Sequence, residues 1–102
     1  MSTKKKKKEN DYQPHVIETI MARLPNAMIT KLDCNHIQGI PDLLILNGNR
    51  WATLEVKKSA TASHQPNQDV YVEQMNAMSF SSFIYPENEE EVLNGLYKTL
   101  EP

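Results

Sequence analysis

Asp42, Glu55 and Lys57 are charged residues set into two otherwise apolar stretches, and their types suit a divalent metal ion and a phosphodiester. They lie in Gly39-Ile40-Pro41-Asp42-Leu43-Leu44-Ile45-Leu46-Asn47-Gly48-Asn49-Arg50-Trp51-Ala52-Thr53-Leu54-Glu55-Val56-Lys57, where Gly48-Asn49 is a Gly-X pair suited to a two-residue II′ hairpin loop. With those residues as the loop, Asp42 faces Glu55 across the ladder, their Cβ atoms about 4.5–5.5 Å apart. Lys57, two residues beyond Glu55, points to the same sheet face. Facing carboxylates repel unless something neutralises them, and Mg²⁺ is usually held by one or two carboxylates together with waters and substrate phosphate oxygens. Lys57 could then orient the attacking water or stabilise transition-state charge. Each half of the pattern also has a plainer reading, a turn aspartate after proline and a solvated Glu-x-Lys pair. Both halves on strands that read as covered on both faces favour the chemical one.

The flanking chain supplies the elements that must hold this hairpin. Residues 1–12 read as a disordered basic arm carrying Lys4, Lys5, Lys6, Lys7 and Lys8, and residues 13–102 as a single domain. A first helix is expected from near Pro14 to Leu24, with Val16, Ile17, Ile20, Met21 and Leu24 as its apolar stripe and Glu18 on the flank. A strand over Ala27–Leu32, the two hairpin strands and a Ser/Thr/Ala-rich loop over Lys58–Pro66 follow. A second helix spans Asn67–Met78, with Asn67 as N-cap and Val70, Tyr71, Met75 and Met78 as its buried face. A strand over Phe80–Tyr85 precedes a third helix capped by Asn88 with Glu91, its stripe Val92, Leu93, Leu96, Tyr97 and Leu100. The acidic cluster from Glu87 to Glu91 reads as helix initiation.

The run Gly39-Ile40-Pro41-Asp42, a short hairpin, then Glu55-Val56-Lys57 resembles the active-site signature of the PD-(D/E)XK nuclease superfamily. It is most similar to the small virus-type replication-repair nuclease (VRR-NUC) branch, a likeness that Gln68 with Tyr71 and an upstream helical glutamate extend over about residues 15–85. The resemblance implies an α/β fold with a restriction-endonuclease-like α-β-β-β-α-β core, a mixed central sheet flanked by helices, plus a C-terminal helix. It implies Asp42 and Glu55 as metal ligands, the Val56 backbone carbonyl as a further ligand, Lys57 as the residue activating water, and Gln68 in support. Glu18 would be the acidic residue of the first helix. Mg²⁺, replaceable by Mn²⁺, is the implied cofactor. Relatives of this size are often phage-encoded dimers acting on branched DNA, so a Holliday junction or flap and a homodimer are expected.

A net charge of −2 argues against a purely electrostatic DNA binder, although the lysine arm and Lys58, at the start of the loop after Lys57, offer phosphate contacts. With no apolar run of membrane-spanning length and no signal-like N-terminus, a cytoplasmic protein is expected. Cys34, the only cysteine, excludes an internal disulfide and reads as a buried or half-buried residue. His64 lies within reach of a phosphate or is a solvated loop residue. The expected activity is metal-dependent endonucleolysis of DNA. The alternatives are a non-catalytic nuclease-like module binding DNA or protein, and a subunit active only in a larger replication or packaging assembly.

Overall fold

The computed structural model describes residues 9–102; the lysine arm Lys4–Lys8 lies outside the described residues. The order is α1 (Glu9–Arg23), β1 (Met28–Lys31), β2 (Leu43–Asn47), β3 (Arg50–Val56), α2 (Gln68–Met78), β4 (Phe80–Ile84), a 3-10 turn (Pro86–Asn88) and α3 (Glu89–Leu100). The sheet runs β1-β2-β3-β4, antiparallel except for β3 and β4, which pair in parallel. This is the expected α-β-β-β-α-β core with a mixed sheet and a C-terminal helix.

Alternation along the strands assigns each residue to a face. Leu43, Ile45, Ala52, Leu54, Val56 and Ile84 share one face by register and form a single buried cluster with Val16 and Ile20 of α1, Leu24 just beyond it, and Leu93, Leu96 and Leu100 of α3. Ile20, Leu43, Ile45, Leu54 and Ile84 have no exposed surface, and burying each such side chain stabilises the fold by about 1.5–3 kcal/mol. The opposite face carries Thr53, Glu55, Ser81 and Phe83, and α2 packs there: the Thr53 hydroxyl reaches Ser81 Oγ at 2.7 Å and Met75 Sδ at 3.6 Å. Glu55 and the Thr53–Ser81 pair therefore lie on the α2 side, among Leu44, Trp51 and Phe83, while the main buried apolar cluster lies on the α1/α3 side. Among the described residues no helix is long and apolar enough to cross a membrane.

Four local expectations need correction. Helix α1 starts at Glu9 rather than near Pro14, and Tyr12, assigned by sequence to the arm, is 2% exposed. Tyr12 donates a 2.6 Å hydrogen bond to Glu89 Oε1 at the start of α3, an anchor that holds a helical turn ahead of the proline. On α2, Val70 and Met78 are exposed at 49% and 71%, whereas Gln68 and Val72 are buried. Tyr71 and Met75 of the expected face are half-buried against the sheet, but the helix is rotated so that its first residue, the polar Gln68, faces Glu55 and Val70 and Met78 turn outward. Asn67 precedes α2 in the left-handed region (φ 73°) without a side-chain cap, and Asn88 likewise does not cap α3. The Asn88 side chain instead accepts from Tyr85 N–H at 2.8 Å and donates to the Phe83 carbonyl at 3.1 Å, closing the 3-10 turn. Cys34 is exposed.

Candidate active site

The hairpin determines the site. Asn47 pairs with Arg50, leaving Gly48 and Asn49 as the loop, and Gly48 takes φ +67°, the left-handed value that a II′ turn requires of its first central residue. Leu43 is opposite Leu54, so the next pair outward is Asp42 and Glu55, as the turn predicts. The Asp42 backbone is held by Leu32, whose N–H donates to the Asp42 carbonyl at 2.8 Å. The Asp42 side chain accepts from Val56 N–H through Oδ2 at 2.9 Å.

Glu55 is 2% exposed, Lys57 5% and Gln68 9%, so two of the three charges that the sequence singles out are buried together with Gln68, and Asp42 is half-buried. Lys57 Nζ lies 3.7 Å from Glu55 Oε2 and donates to the Ser63 carbonyl at 3.1 Å. Gln68 is held at both ends: its Oε1 accepts from Gln65 N–H at 2.8 Å, which turns Nε2 to donate to Glu55 Oε2, also at 2.8 Å. Loss of hydration holds the Asp42 carboxyl above its ordinary range, opposed by the Val56 N–H, a hydrogen bond with Glu55, and the Lys57 and Lys31 charges.

Gly39 explains how the elements carrying Asp42 and Gln68 come so close. It adopts φ +92°, and a Cβ there would sit 2.6 Å from Asn67 Cβ and 2.8 Å from the Pro66 carbonyl oxygen. The Gly-x-Pro-Asp segment and the start of α2 are thus packed backbone to backbone. Asp42, Glu55, Lys57 and Gln68 line a cleft of about 580 Å³ together with Lys58, Thr61, Ala62, Ser63 and Gln65.

No family model matches the sequence, and no curated protein matches it. Among solved structures, a "VRR_NUC domain protein" matches with a TM-score of 0.68 and 18% identity, over 95% of this chain and 93% of that one. The chain has a VRR-NUC-like fold.

The VRR-NUC-like arrangement brings together Asp42, Glu55, Lys57 and Gln68, with Val56 joined through its backbone and Lys58 at the rim. Glu18 is not gathered with them: it is exposed on α1 and does not line the cleft. Among the described residues no group of three or more His, Cys, Asp or Glu side chains is placed to hold a metal. The acidic cluster serves elsewhere: Glu89 accepts from Tyr12 and lies 3.2 Å from His15, and Glu87 accepts from Ala60 N–H. Sequence reading missed the Ser63 carbonyl and the Gln65 N–H. Backbone groups in a loop have no residue-type signature, and only the Lys57-to-Gln68 span hinted that this loop must fold back on the site.

Proposed function

We propose that this protein is a Mg²⁺-dependent DNA endonuclease, with Mn²⁺ able to substitute. The observation that carries the reading is the juxtaposition of half-buried Asp42 with buried Glu55 across the hairpin, beside buried Lys57. The donor set fits the ion: two hard carboxylate oxygens from Asp42 and Glu55, with the Val56 carbonyl as a further ligand and the remaining positions left to water and phosphate. When bound, such a cation supplies charge neutralisation at the phosphate and acidifies the attacking water. Lys57 orients that water and stabilises charge developing on the phosphate, and Gln68 holds the Glu55 carboxyl in place. Lys58 and the arm Lys4–Lys8 contact the DNA backbone. Branched DNA, a Holliday junction or a flap, is the substrate class favoured, with a homodimer providing two sites and a larger footprint.

The test is incubation of the purified protein with a four-way junction, a flap and plain duplex, in Mg²⁺, in Mn²⁺ and in EDTA. Cutting with either metal, absent in EDTA and strongest on branched substrates, is the expected outcome; tight binding without cutting under every metal would sink the reading. A non-catalytic DNA- or protein-binding module is the rival, and the intact set of Asp42, Glu55 and Lys57, gathered at one cleft, argues against it. Because Asp42 holds its proton more tightly than usual, Mg²⁺ affinity measured calorimetrically should rise with pH as that proton is lost. An affinity independent of pH from 5 to 8 would place the ion elsewhere. Gln68→Met removes the donor to Glu55 while keeping the bulk, and Mg²⁺ affinity or turnover should fall by about 10–100-fold. Unchanged metal binding and turnover in that variant would reduce Gln68 to a packing residue.

A further inference from the structure

The segment that closes the cleft, residues 58–66, is tied down by an imidazole. The His64 ring stacks on Phe83 with centroids 4.1 Å apart and planes 15° from parallel, and its Nδ1 lies 2.9 Å from Asp69 Oδ1. Phe83 is the register partner of Glu55 on the neighbouring strand, so His64 rests on the residue beside the buried carboxylate. The residues on either side of His64 make the contacts that matter at the site. Ser63 accepts from Lys57 Nζ through its carbonyl, and Gln65 donates its N–H to Gln68 Oε1.

We propose that His64 is a positioning residue: it latches this loop onto β4 and α2 and thereby fixes where Lys57 Nζ and the Gln68 amide sit. The inference rests on the cleft being the working site named above. A merely solvated loop histidine would have neither the ring contact nor the carboxylate partner. One side chain thus holds two others through the backbone of its neighbours, and small displacements there carry large rate penalties.

The test combines hydrogen exchange of the Gln68 side-chain amide, followed by NMR in EDTA, with cleavage kinetics in Mg²⁺. In His64→Ala the Gln68 amide hydrogens should exchange about tenfold faster, the backbone amides of Ala52 and Leu54 remaining as protected as before. Turnover should fall about tenfold or more, with KM for DNA changed less than about twofold. His64→Phe, which keeps a ring for Phe83, should recover most of the Gln68 protection. Should His64→Ala fail to fold, Asp69→Ala, at an exposed helix position, removes the Nδ1 partner and is read in the same way. Gln68 exchange and turnover unchanged in these variants would overturn the latch. If the wild-type protein cuts no DNA, the exchange measurement still decides the latch, and the failure belongs to the nuclease reading.

Discussion

Asp42→Asn is expected to reduce metal-dependent cleavage by about 10²–10³-fold or more while making the metal-free protein more stable. Both effects have one cause. The Asp42 carboxyl is half-buried opposite Glu55, and burial raises its affinity for a proton despite the Val56 N–H and the nearby lysines. In the window from the ordinary aspartate range of about 4 up to its raised folded value, the folded state holds a proton that the unfolded state has released. Stability contributed by this group is therefore full at low pH and is lost as pH rises through that window. Asparagine keeps the shape and can still accept from Val56 N–H, but it carries no charge to desolvate. At pH 7 in EDTA the variant should gain about 1 kcal/mol, a modest figure because water and salt screen a half-buried group. For a domain of this size that is a melting-temperature rise of about 4–8 °C, shrinking towards zero as the pH is taken below 4. Thermal unfolding at pH 3.5 and pH 7, with and without Mg²⁺, checks the whole pattern. A variant less stable than wild type at pH 7 in EDTA would mean that Asp42 contributes more through its hydrogen bond than it costs through desolvation.

Gly39→Ala should be the most damaging single-methyl change in the chain. Two penalties add: a left-handed backbone unsuited to alanine, costing about 1–3 kcal/mol, and a Cβ forced against Asn67 and Pro66, costing about the same again. A melting-temperature drop of more than about 10 °C is expected. Gly48→Ala is the matched control, because Gly48 also has a positive φ but an added Cβ there meets nothing within 4 Å. If the two variants lose equal stability, the close packing of the Asp42 segment against the start of α2 is not what requires glycine. Where Gly39→Ala remains folded at low temperature, its cleavage should be impaired beyond its stability loss, because the backbones carrying Asp42 and Gln68 are pushed apart. Gly48→Ala should cleave normally under the same conditions.

The hairpin was legible because its determinants are local. A Gly-X pair sets the loop, the loop sets the register, and the register brings Asp42 to Glu55 with no help from distant parts of the chain. The apolar stripe of α3 was legible for a similar reason: its five residues repeat at helical spacing, and all are buried. What escaped depended on contacts distant in sequence or on backbone groups. Tyr12 is ordered by Glu89, which is remote in sequence, so the reading from Pro14 placed the helix start too late. The buried face of α2 is set by Gln68 reaching Glu55, and a hydrophobicity criterion preferred Val70 and Met78. Glu18 sits on the flank of the α1 stripe, as its helical spacing gives, but a flank position does not decide whether a carboxylate reaches the cleft, and here it is exposed.

The order in which the strands pair has a consequence in time. A two-residue hairpin such as β2–β3 closes in about 1–10 μs, whereas β4 can join β3 in parallel only after the chain has passed through the 58–66 loop and α2. Asp42 and Glu55 are brought face to face by the fast, local event. Gln68, and the loop that receives the Lys57 ammonium, arrive with the slow, non-local one. The charge repulsion at the heart of the site is therefore met at the start of folding, before the groups that moderate it are in place.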